Sequence, residues 1–440
     1  MCQSVCGKAY GGECEMTAYR DRVGVFVLKW LLRFLSALGV VLTSSAILFL
    51  VLLGQAPPQP SELPKQSASV TSDTEVAAIG TFAGIGSNRA GSCIRVLSID
   101  GGGVRGLVPA LILAEIERLS GRPIFQQFDL IVGTSTGSIL ALGLTRPSNA
   151  DAQLPIYTAN DLVQLYRDLG HEIFPTSYAV LRNIRRIFRP KFSPQSVEVV
   201  YEKYFEDVRL HEALTNVAVP AYDIENSRRI WFRSYASSHG ELLMRDVVRG
   251  ATAAPTYFPP AQFAVDRSVS SSGHVALVDG ALFANNPALD AYIMAQKLLS
   301  SQEDKSLLLL SIGTGQSVRK HSFEDAWGWG AIGWMDPLLE IAFSDPAIDD
   351  QAKQELAWNK YFRLQVEIGQ PPVELDDSSP EATQKLNRNA ELFMKKNEEQ
   401  IREIVSELSL PRSSQCGTAL GNDYEPVTGP RIRQTPASAK

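Results

Sequence analysis

Histidine and cysteine are both scarce in this chain, with five of each among 440 residues. The histidines are far apart in the sequence, at His171, His211, His239, His274 and His321. The spacing of the cysteines matches neither a zinc site nor a disulfide framework. The cysteines are Cys2, Cys6, Cys14, Cys93 and Cys416. We therefore expect no metal site and no cysteine chemistry, and a reaction that depends on histidine has few candidate residues.

An excess of basic residues is also missing. The chain carries 42 Lys and Arg against 48 Asp and Glu, which gives a formal net charge of −6. Binding to nucleic acid neutralises phosphates with a basic face, so nucleic acid is not an expected partner. The apolar fraction of 45% is instead typical of a globular chain that can form a large core.

One stretch of twenty uncharged and mostly apolar residues, FLSALGVVLTSSAILFLVLL, begins at Phe34 and ends at Leu53. As a helix it would extend about 30 Å, the thickness of the hydrocarbon core of a bilayer. Because basic residues flank its N-terminal side, the positive-inside rule places the N-terminus in the cytoplasm and the rest of the chain on the far side. A cleaved signal peptide and a secreted product remain the alternative.

The remaining composition divides the chain further. Residues 55–91 are rich in Pro, Ser, Thr and Gly without periodicity, which is typical of a flexible linker. Residues 379–408 have the pattern of one polar amphipathic helix. We predict a cytoplasmic segment (1–33), a transmembrane helix (34–54), a linker (55–91), a catalytic core (92–315), a C-terminal helical extension (316–410) and a disordered tail (411–440).

Short apolar runs within the core end in glycine-rich turns and are followed by helical patterns. IRVLSID precedes LVPALILAEIERL, FDLIV precedes SILALGL, and LLLLSIGTG ends a third candidate strand. Strands that are apolar throughout and alternate with helices indicate a mainly parallel sheet covered on both faces. The expected fold class is therefore α/β, with helices flanking the sheet and one membrane helix before it.

The run GTSTG at 133–137 fits the nucleophile elbow G-x-S-x-G. In this motif Gly133 and Gly137 would let a strand turn sharply into a helix and expose Ser135 at the turn. The strand-like run before it and the helical run after it supply the required context. Ser135 is therefore the candidate nucleophile.

A serine hydroxyl needs a base, and Asp279 is a candidate because an apolar run delivers it onto a turn at Gly280 and Ala281. A carboxylate can act as this base only in a pocket that excludes water. A simple turn-forming aspartate is equally compatible with the pattern. A triad that uses His321 also remains open at this point.

The third element is DGGGVRG at 100–106, whose backbone N–H groups could hold a phosphate or an oxyanion. The acidic residue that a dinucleotide site requires about 20 positions later is not found. An oxyanion hole fits better, since a serine nucleophile needs a partner for the developing charge.

Five motifs follow one another along the chain: DGGGVRG, GTSTG, ATAAPTYFPP (251–260), DGALFANNP (279–287) and LLSIGTG (309–315). In this order they resemble the motifs of the patatin-like phospholipase family. The resemblance covers Ile94 to Gly315. It implies a three-layer α/β/α fold and a Ser/Asp dyad, Ser135 as nucleophile and Asp279 as base, without a cofactor or a metal. It also implies an oxyanion hole from the backbone of Gly101, Gly102, Gly103 and Arg105.

Two residues depart from the family's usual pattern, Ser138 where a glycine is common and Ala281 in the turn after Asp279. Neither departure removes a reacting group. The expected activity is hydrolysis of acyl esters of phospholipids or related lipids, with lipid and a membrane surface as partners. An inactive, membrane-anchored lipid-binding relative is the alternative outside enzymes.

A basic segment lies between the two candidate catalytic residues in the sequence. In LRNIRRIFRPKF, four arginines at helical spacing alternate with apolar residues, a pattern that would suit contact with lipid headgroups. A solvated helix packed on its own domain explains the same pattern. The arginines are Arg182, Arg185, Arg186 and Arg189.

Overall fold

A computed structural model describes residues 93–173, 190–299, 306–316, 321–330, 333–334, 337–338, 341, 346–356, 360–411 and 416. All of these residues belong to one of the two units into which the chain divides, Pro64–Lys440. The predicted N-terminal segment, membrane span and linker lie outside the described residues, as do the four arginines and almost all of the predicted tail. Within the described part, no helix combines the length and apolarity needed to cross a bilayer.

A single eight-stranded sheet organises the described residues, with the strand order β5-β6-β3-β2-β1-β7-β8 and β4 also paired to β3. The pairs β1–β2, β2–β3, β1–β7 and β7–β8 are parallel, whereas β4 and β6 are antiparallel to β3. The prediction of a mainly parallel sheet is confirmed. The strands are β1 (Cys93–Ile99), β2 (Leu130–Gly133), β3 (Asn216–Asp223), β4 (Arg228–Arg233), β5 (Ala261–Ala264), β6 (His274–Asp279), β7 (Ser306–Ile312) and β8 (Lys360–Leu364).

Helices connect these strands, and a 3-10 turn at Gly103–Gly106 precedes the first of them. The described helices are α1 (Leu107–Ser120), α2 (Ile124–Gln127), α3 (Thr136–Gly143), α4 (Ala159–Ile173), α5 (Pro194–Phe205), α6 (Ser237–Gly240), α7 (Met244–Ala251), α8 (Ala281–Ala284), α9 (Ala288–Leu299), α10 (Phe323–Trp327), α11 (Pro346–Glu355), α12 (Pro380–Lys396) and α13 (Glu398–Ser409).

Both faces of the sheet are buried, because side chains along each strand point alternately to two apolar layers. Leu97 and Ile99 of β1 pack in the larger core, with α1, α4, α5, α12 and α13. Ile94 and Val96 of the same strand pack in a second core with α9 and α11. The chain therefore folds as three layers, with helices on both sides of the sheet, as expected.

The C-terminal part differs from its prediction in two ways. Residues 379–408 form two helices rather than one, because the Asn397 side chain donates to the Phe393 carbonyl (2.8 Å) and ends α12. The stretch 316–410 is also more than a helical extension, since it contributes β8 to the sheet. A short strand within a polar region gave little periodicity from which to predict it.

The expectation of no cysteine chemistry was wrong for Cys93 and Cys416. They form a disulfide, with 5.1 Å between their Cα atoms and a sequence separation of 323. The backbone N–H of Cys416 also donates to Ser306 Oγ (2.6 Å). No short-range cysteine spacing could reveal this pair, because the fold alone brings the start of β1 and the chain beyond α13 together.

A neighbouring contact strengthens the same junction. The Arg95 guanidinium is buried and donates to the carbonyls of Leu408 (2.7 Å) and Leu410 (2.6 Å) at the end of α13. A cation at a helix C-terminus satisfies carbonyls that lack helical partners and complements the helix dipole. The C-terminal helix is thus attached to β1 by both a covalent bond and charge-assisted hydrogen bonds.

Replacing Cys93 by Ser should lower the free energy of unfolding by about 2–5 kcal/mol, because the unfolded chain then loses a long cross-linked loop. Denaturant titration under non-reducing conditions measures this change, and Cys6→Ser is the matched control. Equal stability of Cys93→Ser and the wild type, or a free thiol at Cys416 in the wild type, would contradict the assignment.

Candidate active site

The predicted elbow is a sharp strand-to-helix turn. Ser135 follows β2 and precedes α3 with φ 53° and ψ −119°, a conformation that costs energy for a residue with a side chain. A Cβ on Gly133 would lie 2.1 Å from the Gly137 carbonyl oxygen, and one on Gly137 would lie 2.4 Å from the Ile99 carbonyl oxygen. Both glycines are therefore sterically required.

Asp279 meets the serine at the end of β6. The Ser135 hydroxyl donates to Asp279 Oδ2 (2.6 Å), and the Ala281 N–H donates to Oδ1 (2.8 Å). Asp279 is 1% exposed. Burial raises the pKa of Asp279 to about 7, although the hydrogen bonds from Ser135 and Ala281 lower it. A carboxyl group with such a pKa can exchange a proton near neutral pH.

The antiparallel direction of β6 explains how Asp279 reaches this position. The last β2–β3 pair is Val132 with Ala218, and β3 continues beyond it to Asp223. On this overhang Ala221 pairs with Asp279, so β6 runs back toward the sheet and ends beside the elbow. A Cβ on Gly280 would lie 2.5 Å from the Pro220 carbonyl oxygen, so the turn after Asp279 also lies tightly against β3.

The glycine loop after β1 lies beside the serine, and two of its N–H groups are already used in backbone hydrogen bonds. The N–H of Gly101 donates to the Asn285 carbonyl (3.0 Å), and that of Arg105 donates to the Gly102 carbonyl (3.1 Å). Among the described residues, the N–H groups of Gly102, Gly103 and Thr136 have no acceptor. All three residues line the cavity next to Ser135.

Thr314, two residues after the end of β7, supports this loop, although the sequence indicated only a strand end at its GTG run. Its hydroxyl donates to the Gly101 carbonyl (2.7 Å), and a Cβ on Gly102 would lie 2.1 Å from Thr314 Oγ1. The glycine at 102 therefore allows the loop to pack directly on the threonine.

An ion pair holds the residue that begins the loop. Arg363 of β8 donates to both carboxylate oxygens of Asp100, at 2.9 and 2.6 Å, and also to Ser311 Oγ (2.7 Å). The Arg363 and Asp100 side chains are 11% and 6% exposed. Burial raises the pKa of Asp100, whereas Arg363 lowers it. The sequence offered no sign of this arginine, which lies 263 residues from its partner.

Two hydroxyl groups support the elbow itself. Tyr166 of α4 hydrogen-bonds with the Thr136 hydroxyl and donates to the Thr136 carbonyl (3.1 Å). Ser138, the departure from the family pattern, donates to the Ser135 carbonyl (2.6 Å). Both contacts fix the backbone on either side of the Thr136 N–H.

A cavity opens beside Ser135 and Asp279. Apart from these two residues its walls are mainly apolar and aromatic, which suits a hydrocarbon chain next to a few orienting polar groups. The apolar and aromatic lining residues are Val104, Ile139, Leu165, Tyr166, Ile173, Tyr201, Tyr257, Phe258 and Leu375.

The alternative base is placed differently. His321 is exposed, and its ring packs against Trp329 with 5.0 Å between the ring centroids. The described residues that line the cavity include no histidine. The residue of the cavity lining that hydrogen-bonds to the Ser135 hydroxyl is therefore an aspartate, Asp279, and not a histidine.

Comparisons with known proteins agree with these motifs. The model of a family described as patatin-like phospholipase matches residues 97–292. Patatin-like protein 1 of Arabidopsis thaliana is 34% identical over 57% of this chain and 67% of its own length. From Solanum tuberosum, Patatin-T5 is 32% identical over 70% of this chain and 85% of its own length. Probable inactive patatin-3-Kuras 1 from the same plant is 33% identical, over 57% and 71%.

Arg363→Met should lower the free energy of unfolding by about 3–5 kcal/mol, because the Asp100 carboxylate would stay buried without its partner. Asp100→Asn in the same chain should recover part of that loss. Arg402→Met is the matched control, since Arg402 pairs with Glu398 in solvent and contributes at most about 1 kcal/mol. Denaturant unfolding measures all three, and equal losses in both arginine variants would contradict the assignment.

Proposed function

Because the chain belongs to the patatin-like phospholipase family, we propose that it hydrolyses fatty-acyl esters of phospholipids or related lipids through Ser135 and Asp279. The observation that carries this proposal is the 2.6 Å hydrogen bond from the Ser135 hydroxyl to the buried Asp279 carboxylate. The apolar cavity beside this pair supports an acyl chain as the part of the substrate that is bound.

In this mechanism Asp279 accepts the Ser135 proton while Ser135 Oγ attacks the ester carbonyl carbon. The freed alcohol leaves with that proton, and the acyl group stays on the serine. Asp279 then takes a proton from water, whose oxygen attacks the acyl-enzyme carbonyl carbon. The bond to Ser135 Oγ breaks, the fatty acid is released, and Asp279 returns the proton to Ser135 Oγ. The raised pKa of Asp279 suits both transfers, because a base works best when its pKa lies near the working pH.

The tetrahedral intermediates need donors for the oxyanion, and the N–H groups of Gly102, Gly103 and Thr136 are our candidates. The original prediction also included Gly101 and Arg105, but their N–H groups already donate to backbone carbonyls. Tyr166 and Thr314 would act as positioning residues, because each holds a backbone segment that carries a proposed donor.

Two other functions were open from the sequence. A triad through His321 has no support from the described cavity, whose lining contains no histidine. An inactive lipid-binding relative deserves a direct test, since one similar plant protein is named as probably inactive. The intact Ser135–Asp279 hydrogen bond supports the enzyme over the inactive relative.

We also propose that a membrane span at 34–54 anchors the chain, with the catalytic domain on the extracytoplasmic side. The Cys93–Cys416 disulfide supports this orientation, because disulfides persist mainly in oxidising compartments. A secreted form produced by cleavage after the apolar run would share that compartment. Protease added to intact cells should digest an anchored catalytic domain without permeabilisation, and complete protection would contradict the orientation.

Ser135→Ala and Asp279→Asn should each lower lipid hydrolysis by at least about a thousandfold, because nucleophile and base act as one unit. Fatty-acid release from phosphatidylcholine by the full chain measures this loss, with His321→Ala as the matched control that retains activity. A fluorophosphonate probe should label the wild type and not Ser135→Ala. Undiminished release by both dyad variants would refute the proposal.

The pH dependence of kcat/KM should follow Asp279, rising with pH through about 7, because only the ionised carboxylate accepts the serine proton. The contribution of Asp279 to the free energy of unfolding changes with pH in the opposite direction. A raised carboxyl pKa stabilises the fold fully below the ordinary aspartate range, and this stabilisation is lost as the pH rises through about 7. Asp279→Asn should therefore be at least as stable as the wild type at alkaline pH, by denaturant unfolding. A kcat/KM independent of pH between 5 and 9 would be incompatible with this base, since those limits lie about 2 units either side of its pKa.

A further inference from the structure

Exposed apolar side chains are concentrated in one short stretch of the chain. Three large aromatic residues are among the exposed apolar side chains of the described residues, and all three lie between 323 and 334. Trp327 is 80% exposed and Phe323 is 71% exposed. We call the following residues the exposed apolar set: Phe323, Trp327, Trp334, Leu338 and Ile341.

The set has local order of its own. The Phe323 and Trp327 rings pack with centroids 5.5 Å apart, and Trp334 packs edge-on against Trp329 at 5.1 Å. Residues 333–334, 337–338 and 341 are helical, and Trp334, Leu338 and Ile341 are all exposed. The aromatic rings therefore contact one another but remain exposed to solvent, and exposure of apolar surface to water is unfavourable.

This stretch leaves the sheet at the C-terminal ends of the parallel strands, where the candidate active site also lies. It follows β7, whose C-terminal end is level with the ends of β1 and β8. Thr314, which supports the glycine loop, lies only nine residues before Phe323 in the sequence. An extended chain of that length reaches at most about 32 Å, which sets the upper limit on the distance between Phe323 and Thr314.

We propose that the exposed apolar set is a membrane-contact surface that inserts at the boundary between headgroups and acyl chains. This inference rests on the proposed function, because a lipid substrate must pass from a bilayer into the cavity and the enzyme needs an apolar contact near that edge. Tryptophan favours this boundary, since its ring is apolar and its indole N–H can hydrogen-bond to headgroups or water.

The charge of the stretch determines the kind of bilayer. Residues 321–341 contain four acidic residues, Glu324, Asp325, Asp336 and Glu340, and no Lys or Arg. Electrostatic attraction to anionic headgroups is therefore excluded for this surface, and contact by apolar burial is favoured. The occupant is a zwitterionic bilayer, and binding should be insensitive to salt, unlike any contact made by the arginines of the basic segment.

The test uses the full chain in bilayers of phosphatidylcholine with brominated acyl chains, which quench nearby tryptophan fluorescence. A Trp30→Phe background removes the signal of the tryptophan that shortly precedes the predicted membrane span. In this background Trp327→Ser with Leu338→Ser should reduce quenching at low and at high salt. Leu154→Ser with Leu392→Ser is the matched control, since both leucines are exposed elsewhere on the domain.

Kinetics provide the second measurement. The same double variant should raise KM for bilayer phosphatidylcholine by at least about tenfold, because two apolar side chains no longer enter the membrane. Its kcat/KM for a water-soluble ester should equal that of the control, since neither residue lines the cavity.

Quenching and KM that match the control would overturn the inference. A dimer that becomes a monomer in the double variant with unchanged quenching would also overturn it, because the set would then join two copies of the chain. If the wild type hydrolyses neither lipid nor soluble ester, the proposed function fails, while loss of quenching in the double variant would still support the membrane contact.

Discussion

The hydrogen bond between the Ser135 hydroxyl and the Asp279 carboxylate joins groups 144 residues apart. A carboxylate can act as the base only if water is kept away from it, so the surrounding structure must bury an ionisable group and still leave it a partner. The overhang of β3, the turn at Gly280 and the crossing of the elbow over the end of β1 together meet this requirement. The apolar cavity then follows from the same exclusion of water.

Support for this pair comes from parts of the chain with no catalytic pattern of their own. Thr314 holds the glycine loop from the turn after β7, Arg363 holds Asp100 from β8, and Tyr166 holds Thr136 from α4. A shift of the glycine loop or of α4 would therefore also move the backbone of a proposed oxyanion donor. Because Arg363 lies on a strand and Tyr166 on a helix, these two supports are held more rigidly than residues of a loop would be.

The sequence predicted features that depend on local chemistry. Runs such as LIVG before the elbow and LLLL in β7 are apolar throughout, as strands buried on both faces are. The glycines at 133 and 137 occur where another part of the backbone lies too close for a side chain. Features that depend on pairing between distant segments could not be predicted in this way. The direction of β6, the Arg363–Asp100 pair and the Cys93–Cys416 bond each require knowledge of which strands become neighbours.

The disulfide lies at one end of β1 and also holds the C-terminal segment. Cys93 begins β1, and Ile99 ends it beside the glycine loop. The chain therefore enters the sheet at the strand ends opposite to Ser135, about 20 Å away along β1. The end of β1 that carries the disulfide and the end beside Ser135 are therefore separated by the whole length of the strand. A force applied to the chain before Cys93 would act on the end of the sheet that the disulfide reinforces, rather than on the end that holds Ser135 and Asp279.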